Sequence, residues 1–231
     1  MEQNEQARLS ALSNASMLSA IGVTVTLMYG LSLLLALLAP ASVAVGVVSL
    51  IGLILWLVGI YNTSSAFKGF NAAVAASFER LFKAQLVIVI AVVAYWVLII
   101  LIPQILGYKG AKASIVIIKL LTIALFVCSI MYMAKSNKEC RTLKGLGLKS
   151  MGTASIAFTI QLVILAVSAL IAVIALFRTG DFLSFLIGDG LGGAVVLTIL
   201  MGLAALVAAV FMIIGWWSVR NELPLLSADE K

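Results

Sequence analysis

Residues 17–61 read MLSAIGVTVTLMYGLSLLLALLAPASVAVGVVSLIGLILWLVGIY, forty-five consecutive residues without a charge. One crossing of roughly 30 Å of hydrocarbon takes about 20 apolar residues at 1.5 Å rise each. The stretch therefore holds two crossings. Pro40 divides them, because a proline inside a helix removes a backbone hydrogen bond and clashes with the preceding turn. The reading is a helical hairpin, 17–39 and 41–61, turning at Ala39-Pro40-Ala41, with Ser42 placed to cap the second helix. The whole chain of 231 residues shares this character: 64% is hydrophobic, 10% is charged and the mean hydropathy is +1.23. A soluble domain carries about half apolar and a quarter charged residues, so a water-soluble globule is excluded. Three prolines, and glycines without a triplet period, exclude disordered and collagen-like chains as well.

Four further runs are long enough to span: 84–106, bent or ended by Pro103, then 114–134, 153–177 and 191–217. The links between them are too short for a separate soluble domain. The expectation is an all-α polytopic membrane protein: a segment 1–16, a six-helix domain 17–217 and a tail 218–231. Small residues at Leu38-Ala39-Pro40-Ala41 have the spacing of a signal-peptidase site. The run before them is longer than a signal core and is led by Glu2 and Glu5 rather than by basic residues, so it reads as a retained helix.

The charges orient this bundle. Eleven basic residues fall on the side that holds both ends: Arg8, Lys68, Arg80, Lys83, Lys135, Lys138, Arg141, Lys144, Lys149, Arg220 and Lys231. Four fall on the other: Lys109, Lys112, Lys119 and Arg178. The excess of Lys and Arg marks the cytoplasmic side, which places both termini inside a plasma or inner cell membrane. In a membrane protein a net charge of +6 reads as contact with anionic lipid headgroups, not with nucleic acid. Asn14-Ala15-Ser16 and Asn62-Thr63-Ser64 match the glycosylation pattern but face the cytoplasm, so neither is expected to carry glycan. Cys128, in an apolar run, and Cys140, in a basic loop, read as free thiols, with Cys140 expected to label from the cytoplasmic side.

Between the second and third spans, Phe67, Phe70, Val74, Phe78, Leu81 and Phe82 recur at steps of three and four. They put one apolar face on a helix over 64–83. With Lys68, Arg80 and Lys83 flanking it, the segment reads as an amphipathic helix in the membrane interface, with Phe67, Phe70, Phe78 and Phe82 towards lipid. The alternative is an extension of the third helix, packed on its neighbours.

The chain offers little to catalysis. It has no His, and no Asp or Glu falls within the six runs. Histidine-centred metal sites, Ser-His hydrolysis and paired membrane carboxylates are thereby excluded. No catalytic residue, metal ligand or cofactor is expected. Lys119 is the one ionisable residue inside a run. It lies about 7 Å along the helix from Ser114, so its stem can lift the ammonium to the headgroups; otherwise it is a cation that attracts an anionic solute. Arg178 and Asp181, in the outer loop with Phe182 and Phe185, read as a loop folded on the bundle or, alternatively, as the mouth of a solute or lipid site. Gly188-Asp189-Gly190-Leu191-Gly192-Gly193 matches a dinucleotide fingerprint in letters but has no strand before it. Gly192, Gly193, Gly202, Ala205 and Ala209 instead mark a small-residue face for close helix packing, and Gln161 should point at another helix.

The ends of the second and sixth runs, Leu57-Val58-Gly59-Ile60-Tyr61 and Ile213-Ile214-Gly215-Trp216-Trp217-Ser218, share an aromatic terminus, with Ser49-Leu50-Ile51-Gly52-Leu53-Ile54-Leu55 before the first. In these segments the chain resembles an uncharacterised family of small prokaryotic, largely archaeal, multi-pass membrane proteins. The resemblance implies a membrane fold and no particular activity. The functional expectation is a non-enzymatic scaffold or accessory subunit that binds other membrane helices or further copies of itself. The alternative is a small transporter or permeability factor for an apolar or anionic solute.

Overall fold

The structure is a computed structural model. It describes residues 10–24, 42–68, 70–107, 111–177 and 191–228, with side chains over most of these. Among them the secondary structure is entirely helical: α1 (10–24), α2 (Ser42–Phe67), α3 (Ala72–Leu106), α4 (Ala111–Gly145), α5 (Met151–Phe177) and α6 (Leu191–Ala228). Four helices are long and apolar enough to cross a membrane: Ala72–Leu106, Ala113–Gly145, Met151–Ile171 and Leu200–Glu222. The Pro40 turn and most of the 17–39 run lie outside the described residues.

Successive helices pack on one another, and the joints show why. Asn71 caps α3: its side-chain oxygen accepts from the backbone N–H groups of Ala73 and Val74, both at 3.1 Å, satisfying two donors that have no partner within the helix. Ser64, near the end of α2, donates to the Ala75 carbonyl at 2.9 Å and ties the two helices across the turn. At the other end of α3 the helix runs past Pro103 to Leu106 instead of stopping, and Gly107 closes it at φ 60°, its N–H donating to the Pro103 carbonyl.

α4 ends in a paired-bond turn. The Leu148 N–H reaches the Leu143 carbonyl and the Gly147 N–H reaches that of Lys144, with Gly147 at φ 105°. That is the Schellman arrangement, which needs a left-handed residue and brings an apolar pair together behind it. Leu143 and Leu148, both fully buried, are that pair.

The segment 64–83 is not a separate surface helix. Residues 64–67 finish α2, the chain turns before Asn71, and residues 72–83 are the first three turns of α3. The apolar face read from the periodicity exists, but protein covers it. Phe67 and Phe78 are 2% and 0% exposed and stack with centroids 5.8 Å apart; Phe70 and Phe82 are half-buried at the margin. A helical period identifies which face is apolar and is silent on what will cover it, and here α6 does. At 35 residues, α3 is about 52 Å long, so its first turns extend beyond any single crossing.

α6 gathers the bundle. Trp216 is fully buried, with its ring edge-on to Trp56 of α2 at 6.5 Å and tilted against Phe78 of α3 at 6.2 Å. Next to it, a Cβ on Gly215 would lie 3.0 Å from the Ala154 nitrogen of α5. α1 runs antiparallel to α2 at close range: a Cβ on Gly22 would meet Trp56 Cα at 2.6 Å, and one on Gly59 would meet Ser19 Cα at 2.7 Å. The buried cluster that results joins all six helices, and it lies toward the end of the bundle that carries the basic residues.

Candidate functional site

The polar side chains of this basic end meet across helices. Arg80 of α3 pairs through Nε with Glu139 of α4 at 2.9 Å, where the Glu139 side chain is only 11% exposed. Gln85 of α3 donates to the Ser136 hydroxyl of α4 at 2.6 Å, and Ser136 donates in turn to the Tyr132 carbonyl. On the opposite flank of α4, Asn137 donates to Thr159 of α5 at 3.0 Å and accepts from Ser155, whose oxygen accepts from Arg141 Nε at 3.2 Å. The Glu222 carboxylate of α6 accepts from both the N–H and the hydroxyl of Ser150 at the start of α5. Carboxylate at a helix N-terminus satisfies free donors and complements the dipole.

These bonds place α4 between α3 and α5, and α6 against α5. Each is worth about 0.5–1.5 kcal/mol net, more where a charge takes part. Because the bonds run from one helix to the next, the network's chemistry is that of a clamp between helices. Among the described residues three buried atoms have no partner: Glu139 Oε2, within the network, and the indole nitrogens of Trp56 and Trp216. Deeper in the apolar part, the hydroxyls of Tyr95 and Thr122 bond at 2.8 Å and join α3 to α4.

None of the residues in the α3–α4–α5 clamp was singled out as a site in the sequence, since the stretch after Ala134 reads as a basic loop by composition. The structure continues α4 to Gly145. A signal was present: Tyr132, Ser136, Glu139, Cys140 and Leu143 keep the helical period beyond the apolar run. Cys140 lies on that inner face and is fully buried, which corrects the expectation of an accessible thiol in a loop. Cys128, half-buried, is twelve residues away on the same helix, about 18 Å along the axis, far beyond disulfide reach. Among the described residues no three His, Cys, Asp or Glu side chains cluster as a metal site would require.

The packing candidates on α6 are partly relocated. Ala209 is buried, whereas Gly202 and Ala205 are half-buried. The face that packs closely is Ala208, Ala209, Met212, Gly215, Trp216 and Val219. The closer contacts at Gly22 and Gly59 were not anticipated, because in an apolar run a glycine at a crossing looks like any other. Gln161 and Lys119 are half-buried, and no acid among the described residues lies within ion-pair distance of Lys119. Arg178 and Asp181 lie outside the described residues, as do the surroundings of Gly192 and Gly193 in the first turn of α6. Comparison with protein families, curated proteins and solved structures returned no significant match.

Proposed function

We propose that this chain is a non-enzymatic component of a membrane complex, a scaffold or accessory subunit that receives other membrane helices. The observation that carries the reading is the contrast between its two ends. The basic end is closed by buried aromatics and hydrogen bonds. By contrast, none of the most apolar stretch of α3, and 11% of that of α4, is buried within the chain. Ile90, Val93, Val97 and Leu101 form an exposed stripe on α3, with Val116, Leu120 and Val127 exposed on α4. Single apolar residues on a surface are ordinary, but a contiguous face of this kind is either solvated by lipid or covered by a partner. The small-residue face of α6 packs on α5 at Gly215, and Trp216 beside it meets Trp56 of α2, so the uncovered faces of α3 and α4 are the ones offered to other helices.

On this reading the protein resides in a plasma or inner membrane with both termini in the cytoplasm, supported by the eleven-to-four distribution of basic residues. No cofactor enters, and the partners are membrane helices, from another protein or from a second copy.

The test is photo-crosslinking in the native membrane. Val97 and Leu120 are 48% and 55% exposed and sit near the level of the Tyr95–Thr122 bond. Replacing each with a photoreactive residue is expected to yield discrete protein adducts. Adducts with lipid alone at both positions would overturn the proposal.

A further inference from the structure

α4 turns one face to its neighbours and another outward. Ser136, Asn137, Glu139, Cys140 and Leu143 are buried, while Lys135, Lys138 and Arg141 are exposed. The three cations follow at once on the apolar run that ends at Ala134. They are spaced i, i+3, i+6, so they fall within about 9 Å along the axis, at the depth where a spanning helix leaves the hydrocarbon.

The described acids of this end are engaged elsewhere. Glu79 takes Lys83 at 2.7 Å and Lys68 at 4.0 Å, Glu139 takes Arg80, and Glu222 takes Ser150. Among the described residues no carboxylate lies within ion-pair distance of Lys135, Lys138 or Arg141. Two of the three are nonetheless held in place. The Lys135 ammonium sits 4.3 Å from the centre of the Tyr132 ring, a cation–π contact that fixes it at the boundary between ring and solvent. Arg141 is anchored by its Nε on Ser155, itself fixed by Asn137. Its terminal nitrogens have no protein partner among the described residues. A guanidinium held by one edge, with the rest of its fork open, is arranged for bidentate binding of a phosphate.

We propose that Lys135, Lys138 and Arg141 form a binding site for the phosphate of an anionic phospholipid headgroup on the outward face of α4. The proposal rests on the membrane reading above and adds the ligand class and the residues that select it. A lipid, and not a soluble anion, is the occupant because the cations begin one residue beyond the apolar run, where a headgroup's own acyl chains would lie along exposed Met131 and Val127.

The experiment compares the full chain in phosphatidylcholine nanodiscs carrying trace spin-labelled phosphatidylglycerol or phosphatidylcholine, and reads the immobilised fraction of each. A preference for phosphatidylglycerol of about fivefold or more is expected, since one basic residue near an anionic surface contributes about a fivefold factor. K135Q/K138Q/R141Q should abolish it. K68Q/K149Q/R220Q removes three charges at the same end but off this face, and should preserve it; equal loss in both variants overturns the site in favour of diffuse charge. Displacement of the labelled lipid by inorganic phosphate, but not by chloride of equal ionic strength, would assign the site to a soluble anion and overturn the headgroup proposal. A chain that stays in the disc without lipid preference refutes the site alone, whereas one that does not enter the disc refutes the membrane reading and the site with it.

Discussion

Arg80 and Glu139 form the one described ion pair that bridges two helices and has a partner nearly out of water: the Glu139 side chain is 11% exposed and that of Arg80 53%. Their roles are unequal. Arg80 can rehydrate if Glu139 is removed, but Glu139 has already lost a partner at Oε2 and would keep a buried charge with no counter-ion if Arg80 were removed. Leaving a buried charged group unsatisfied costs about 1–3 kcal/mol or more. Arg80→Gln should therefore destabilise the protein by about 2 kcal/mol, and Glu139→Gln by less, because its amide oxygen still accepts from Arg80 while the cost of burying a carboxylate disappears. The double variant should regain part of the loss. Unfolding in mixed micelles, run as a double-mutant cycle, measures this; a double variant no more stable than Arg80→Gln would show that Glu139 is adequately solvated without its partner.

At the level of helices, the crossing of α1 and α2 depends on the absence of side chains at two points. A Cβ on Gly22 would come within 2.6 Å of Trp56 Cα and 2.8 Å of the Gly52 carbonyl. Those atoms are backbone, so only a shift of the whole helix relieves the clash, and overpacking of this kind costs about 1–3 kcal/mol. Gly22→Leu should lower the melting temperature in detergent and increase the exposure of Trp56, read as a red shift in its emission. Gly145→Ala, where a Cβ meets nothing within 4 Å and φ is not positive, should leave both unchanged. Nothing in the 17–61 run sets Gly22 apart from Gly30 or Gly46, which marks the limit of what could be read there. Apolar runs located the four helices long and apolar enough to cross a membrane, because a bilayer requires about 20 apolar residues whatever their neighbours. Helix ends were missed where solvent and protein share one turn. α4 carries Lys135, Lys138 and Arg141 on its outer side, so its composition is that of a loop while its inner side, from Ser136 to Leu143, is core. The same holds for Phe67 and Phe78: their period was legible, but the Trp216 ring that packs on Phe78 lies over a hundred residues away, and one sequence carries no record of that pairing.

For the molecule as a whole, the joints put the turn before Asn71, the 146–150 turn and the end of α6 at one end. Arg80 reaches Glu139 from just beyond the first turn, and Glu222 reaches Ser150 at the second. The antiparallel pairing of Ser19 with Gly59 and of Gly22 with Trp56 brings the start of α1 to that end too. Gln104 and Gly107 lie at the far end of α3, separated from Lys68 by the whole helix. If α3 crosses the membrane, and basic loops remain inside, cysteines at Lys68 and Lys149 should react with an impermeant maleimide only after cells are opened, and a cysteine at Gln104 should react in intact cells. The background would be Cys128→Ser with Cys140→Ala, the latter because a polar hydroxyl at a fully buried position adds a desolvation cost. Labelling of Lys68→Cys and Gln104→Cys from the same side would mean that α3 does not cross. The apolar stretch of α3, with Ile90, Ile100 and Ile105 58%, 58% and 77% exposed, would then need a protein partner from Ile90 to Ile105, because water cannot solvate that face. Labelling from opposite sides instead assigns the face to the bilayer and to whatever helices share it.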